Sequence, residues 1–167
     1  MSIQSTVLNF FLKKFVKNTK PSPDEYSYQD MRDLMNDSFE MGEKNFIEKL
    51  IIKSTFANKR SSIKSTETML DGIRTLKITR DDSQKEKCIL YFHGGGYIAG
   101  SPETHLNLLK EIYNNSKITI YAIDYSLSPE SKFPQALNEA VRSYTALRDL
   151  GYQANNIIIG VDSAGGN

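Results

Sequence analysis

Cys88-Ile89-Leu90-Tyr91-Phe92-His93-Gly94-Gly95-Gly96-Tyr97 passes without a break from an apolar run into a triple glycine. A short continuous apolar run bounded by loop residues reads as a strand covered on both faces, the condition of strands in a parallel sheet. Two later runs, Ile118 to Ile123 and Ile157 to Val161, have the same character. The segments between them carry helical spacing. The first starts from Pro102, with Leu108, Leu109, Ile112 and Tyr113 on one face; the second starts from Pro134, with Leu137, Ala140, Val141, Tyr144 and Leu147, and Gly151 stops it. Strand, helix, strand, helix, strand requires right-handed crossovers and a parallel sheet, an α/β fold whose ligands sit at the carboxyl ends of the strands.

Toward the N-terminus, Glu67-Thr68-Met69-Leu70 and Ile73-Arg74-Thr75-Leu76-Lys77-Ile78 flank Asp71-Gly72, a strong short-range signal for a hairpin. A polar loop, Asp81 to Lys87, separates it from the first buried run. Earlier still, Val7, Leu8, Phe11, Leu12 and Phe15 recur at one-face helical spacing, as do Phe46, Ile47, Leu50 and Ile51. Lys20-Pro21-Ser22-Pro23 interrupts them, and Ser22-Pro23-Asp24-Glu25 has a capping-box pattern that starts a further helix. The expected organisation is therefore a helical segment over residues 1–60 and an α/β unit over residues 61–167.

With 39% apolar and 25% charged residues, the composition is that of an ordinary globular protein. A net charge of +1 supplies no field that recruits nucleic acid. The lone Cys88 lies in an apolar run and reads as a structural thiol, which excludes a disulfide framework. One cysteine with two histidines, His93 and His105, matches no familiar zinc spacing, and no metal or other cofactor is expected. The lysines Lys13, Lys14 and Lys17 follow the first apolar patch instead of preceding it, and no run reaches the length of a spanning helix, so a cytoplasmic chain without stable membrane insertion is expected. A first helix lying on a membrane surface is an alternative for residues 1–18.

Two glycine-rich segments fall at expected strand ends. Three glycines after His93 let N–H groups point at one spot without Cβ obstruction, the requirement for stabilising an oxyanion. Val161-Asp162-Ser163-Ala164-Gly165-Gly166-Asn167 places a serine where a strand turns into a helix; such an elbow lifts the hydroxyl above the sheet and aims the next N–H, that of Ala164, at the same oxyanion. Taken singly, each segment also reads as a tight glycine turn, the second with its serine as a helix cap.

His93 to Tyr97, Asp124-Tyr125-Ser126-Leu127-Ser128-Pro129-Glu130, and Asp162 to Asn167 resemble, in order and strand context, the three hallmark segments of bacterial hormone-sensitive-lipase-like esterases of the α/β-hydrolase superfamily. The resemblance covers about residues 60–167 and implies the N-terminal part of an α/β-hydrolase fold, with residues 1–60 as a helical cap over the acyl pocket. It implies Ser163 as nucleophile, an oxyanion hole drawn from Gly94, Gly95, Gly96 and Ala164, and His93, Tyr97, Asp162 and Gly165 as residues that shape the site. The implied activity is cleavage of small carboxylic esters of short or medium acyl chain through an acyl-enzyme, with no cofactor and no nucleic-acid partner. Two departures stand out. Ser126 and Ser128 replace the family's usual arginine and alanine, and Val161 replaces the first glycine of G-x-S-x-G, where a β-branched residue is expected to crowd the turn.

In this fold the acid and histidine of the triad follow the serine, and the 167 residues hold four positions after Ser163. His93 precedes the oxyanion glycines, and His105 falls near a helix start, where a solvated or capping role is expected. The reading is thus an esterase fragment with little activity by itself and an open sheet edge that favours self-association. A catalytically inactive remnant of the same fold is the alternative. A more distant one is a dinucleotide-binding unit, since Gly94-x-Gly96-x-x-Ala99 follows a strand and Asp124 ends the next, in the place of a ribose ligand.

Overall fold

The computed structural model describes residues 27–39, 41 and 63–167. The readings on residues 1–26 and 42–62, including the two amphipathic stretches and the Pro21-to-Pro23 break, lie outside them. The described elements are helix α1 (residues 28–39), strands β1 (Lys64–Leu70), β2 (Ile73–Thr79) and β3 (Gln84–Phe92), helix α2 (Leu106–Ser116), β4 (Ile118–Ile123), helix α3 (Gln135–Asp149) and β5 (Ile157–Val161).

Within the described residues α1 follows Ser27, and the capping-box reading on Ser22 to Glu25 lies outside them. Ser27 Oγ accepts from the Asp30 N–H while the Asp30 carboxylate accepts from the Ser27 N–H, a reciprocal cap closed at this turn. The β1–β2 hairpin forms as expected. Asp71 and Gly72 both take positive φ, which matches the right-handed twist of the flanking strands. β3 starts at Gln84, not Cys88, because its polar end pairs with Ile118 across a register shift. α2 starts at Leu106, not Pro102. The Ser101 N–H is held by Thr104 Oγ1, and that turn postpones the first helical hydrogen bond to the one from Leu109 to the His105 carbonyl.

The five strands lie in the order β1-β2-β4-β3-β5, with the hairpin antiparallel to β4 and the last three strands mutually parallel. Strand alternation divides the core. Cys88, Leu90, Tyr121 and Ile123 pack with Leu147 of α3, whereas Ile89, Tyr91, Ile120 and Ala122 pack with Leu109 and Tyr113 of α2. Cys88 is fully buried and its thiol is pushed up to about 11 by burial, as suits a structural cysteine.

α3 buries only part of the expected stripe, Leu147 fully and Ala140 and Tyr144 in part. Glu139, Ser143 and Leu147 face inward, while Leu137 and Val141 are exposed. The Glu139 carboxylate turns the helix this way by accepting from the Ser126 N–H and hydroxyl and from Gln135 Nε2. At its end the Gly151 N–H reaches the Arg148 carbonyl and the Tyr152 N–H the Leu147 carbonyl, with Gly151 at φ +99°, the expected glycine stop. β5 differs from a strand buried on both faces: Ile158, Ile159 and Val161 are exposed, and among the described residues it pairs with β3 alone.

Candidate active site

β3 and β5 are adjacent and parallel, with Phe92 opposite Val161. This register sets the two loops at their carboxyl ends, His93-Gly94 and Asp162-Ser163, side by side, so the two glycine-rich motifs meet.

The elbow is strained in the expected sense. Asp162 is extended, Ser163 takes φ +45°, and residues Ser163–Gly166 form a single 3-10 turn. A Cβ on Gly165 would lie 2.2 Å from the Phe92 carbonyl oxygen, so the turn folds back onto β3 only because that position is glycine. Val161 does not crowd the turn as anticipated. Its side chain is half exposed, and its Cγ2 lies 3.2 Å from where a Cβ on Gly166 would sit; glycine at 166 makes the room.

Asp162 ties the elbow to the loop after β3. Its Oδ1 accepts from the Gly94 N–H at 2.8 Å and from the Tyr91 hydroxyl at 2.9 Å. The Gly94 N–H is therefore committed within the protein, to the residue that precedes Ser163. Among the described residues no acceptor takes up the Gly95 or Gly96 N–H. Gly95 holds φ +126° against the Ala99 carbonyl, 1.9 Å from where its Cβ would be, and the Ile98 and Ala99 N–H groups return to the Gly95 carbonyl. Burial raises the Asp162 carboxyl, but hydrogen bonding and charge from His105, with the Tyr91 and Gly94 bonds, outweigh it and leave the group below its ordinary value.

His93 shapes the loop from beneath. It is buried, stacks on Tyr125 at 4.3 Å between ring centroids, and donates from Nδ1 to the Gly94 carbonyl at 2.7 Å. Burial pushes its imidazole below the usual histidine range, an effect that the bond to the Gly94 carbonyl offsets only in part. Tyr125 donates to the His93 carbonyl, and the Ser128 N–H donates to the Tyr97 carbonyl, so the middle motif props the glycine loop. Ser126 is held by Glu139, and the Ser128 hydroxyl by the Ser131 carbonyl. Asp124 pairs with Arg74 at 2.8 Å, and α2 begins only at Leu106, so neither a free ribose ligand nor a tight pyrophosphate turn is present.

Two contributors were missed in the sequence. His105 stands at the N-cap of α2 without a side-chain capping bond and is buried instead of solvated, with Nε2 3.4 Å from Asp162 Oδ2. Arg32 of α1 donates to the carbonyls of Ile98 and Ser128, both at 2.7 Å, and pairs with Glu130 at 2.6 Å, while the Asn36 side chain accepts from the Gly100 N–H. No local signal marks either residue, because their partners lie in distant segments.

A family model described as "alpha/beta hydrolase fold" matches residues 89–167. An acetyl-hydrolase of Streptomyces hygroscopicus is 34% identical over 94 residues, 56% of this chain and 31% of that protein; an α/β hydrolase of Acanthamoeba polyphaga mimivirus is 37% identical over 83 residues, 47% of this chain and 24% of that one. Among solved structures, a hormone-sensitive lipase from a metagenome library (32% identity, TM-score 0.69) and an esterase/lipase from an uncultured bacterium (28%, 0.68) each align with 99% of this chain. The chain covers 49% and 50% of those two structures, about half their length. The parallel β4-β3-β5 sheet, the strained serine elbow beside a glycine loop, and these matches show that the chain belongs to the α/β-hydrolase superfamily.

Proposed function

We propose that this chain carries the nucleophile and oxyanion elements of a serine carboxylic ester hydrolase acting on small esters of short to medium acyl chain. The observation that carries the reading is Ser163 at φ +45°, tied through Asp162 to a loop whose Gly95 and Gly96 N–H groups find no acceptor among the described residues. Ser163 Oγ attacks the ester carbonyl carbon and its proton passes to a base. The oxyanion is received by the N–H groups of Gly95, Gly96 and Ala164, the alcohol leaves with a proton, and water releases the acid from the acyl-serine. Related proteins support the substrate class: an acetyl-hydrolase, and the esterase EstE5 soaked with p-nitrophenyl butyrate, 28% identical to this chain.

His93 and His105 are both engaged below the loop, so the base and its acid partner are expected after Ser163 in chain order. The 167 residues alone are expected to retain only the oxyanion contribution, about 10³ to 10⁴ over water. α1, bound to the oxyanion loop through Arg32 and Asn36, is the described portion of a cap over the acyl pocket. A cytoplasmic location belongs to the same proposal; among the described residues no helix is long and apolar enough to cross a membrane. The test is labelling with a fluorophosphonate. Incorporation that disappears in Ser163→Ala supports the reading, and a folded sample that takes up no label supports an inactive form of the fold.

A further inference from the structure

Asp162 has two carboxylate oxygens with unequal duties. Oδ1 carries the Gly94 N–H and the Tyr91 hydroxyl, and Oδ2 faces His105 Nε2 at 3.4 Å. His105 is 5% exposed and hemmed by the rings of Phe39 at 5.1 Å and His93 at 5.6 Å. Its other nitrogen, Nδ1, lies 3.0 Å from the Ser101 carbonyl and 2.9 Å from Thr104 Oγ1. The carbonyl only accepts, so Nδ1 either donates to it or accepts a hydrogen bond from the Thr104 hydroxyl. In the first state the ring is an imidazolium and in the second a neutral tautomer. Both carry a proton on Nε2, since a bare nitrogen there would aim its lone pair at a carboxylate.

We propose that His105 is a positioning residue of the serine elbow: its Nε2–H holds Asp162 Oδ2, which keeps Oδ1 on the Gly94 N–H and so fixes Ser163 in register with the oxyanion loop. Asp162 directly precedes Ser163, and Gly94 directly precedes the Gly95 and Gly96 donors, so a rotation of this one carboxylate uncouples the halves of the site. The consequence for chemistry rests on Ser163 being the nucleophile; the bonding does not.

The test uses the full chain. Long-range proton–nitrogen NMR spectra near neutral pH are expected to show His105 Nε2 protonated, and a bare Nε2 overturns the proposal without any variant. In His105→Leu the Gly94 amide is expected to exchange with solvent about tenfold faster or more, with the Leu90 and Tyr121 amides unchanged. His105→Gln, which keeps an N–H donor, is expected to restore the protection. Unchanged Gly94 exchange in the leucine variant, or glutamine behaving like leucine, overturns the proposal. Fluorophosphonate labelling of Ser163 is expected to slow in the leucine variant and recover in the glutamine one. If the unaltered chain takes no label while the NMR results hold, the nucleophile assignment fails and the positioning link stands.

Discussion

Ser163 holds φ +45°, where an L side chain crowds the backbone. Ser163→Gly is expected to raise stability by about 0.5–1 kcal/mol while removing the proposed nucleophile, measured as the denaturant midpoint beside fluorophosphonate labelling. A lower midpoint shows that the elbow is unstrained. Gly95 and Gly151 make a second comparison. Both have positive φ, but a Cβ at Gly95 would sit 1.9 Å from the Ala99 carbonyl, whereas nothing lies within 4 Å at Gly151. Gly95→Ala is therefore expected to lose about 2–3 kcal/mol or more and to disturb the loop. Gly151→Ala should lose only about 1 kcal/mol in the same titration, since only its dihedral is at stake. The glycines of the loop could be read from the sequence as sites of close approach. That Gly94 spends its N–H on Asp162 could not, because the acceptor arrives from β5.

α3 and α1 show how far element patterns carry. Helical spacing located α3 and its glycine stop, but rotated its face toward the apolar Leu137 and Val141, since hydropathy does not register a glutamate buried by its own hydrogen bonds. Leu147→Ala is expected to lose about 2–5 kcal/mol in chemical denaturation, and Val141→Ala to stay within about 0.5 kcal/mol. Equal losses would restore the expected face. α1 is fastened by Arg32, whose guanidinium holds the Glu130 carboxyl down to about 2 from its ordinary 4.5. A depressed folded-state pKa gives stabilisation that is complete above the unfolded value and is lost as pH falls through the folded one. The clamp is thus expected to be intact at neutral pH and to loosen between about 4.5 and about 2, read as faster amide exchange over residues 28–39. Glu130→Gln should abolish that pH dependence, and a dependence that survives it assigns the loosening to another carboxylate.

Across the molecule, the sheet leaves β5 with an unpaired side among the described residues and exposed Ile158, Ile159 and Val161 upon it. Such an edge is a template for strand addition. The 167-residue chain is expected to self-associate with rising concentration in sedimentation velocity, and Ile159→Lys to shift it toward the monomer. A monomer throughout at high concentration would show that this edge is covered.

The amino-acid order settled whatever depends on neighbours along the chain. Asp71-Gly72 specified the hairpin by its positive-φ preference, the runs Ile118–Ile123 and Ile157–Val161 became strands with those bounds, and Gly151 ended α3. Motif order along the chain also put Ser163 and the glycine loop at the carboxyl ends of two strands, which the sheet sets side by side. What the order left open was where polar side chains find partners far along the chain. His105 reached Asp162, Arg32 reached Ile98 and Glu130, and Glu139 reached Ser126, and these pairings exist only once β3 and β5 lie side by side and α1 rests on the loop between β3 and α2. Dihedral preference and hydrophobic spacing act over a few residues, whereas a buried hydrogen bond is decided by what the folded chain brings within about 3 Å.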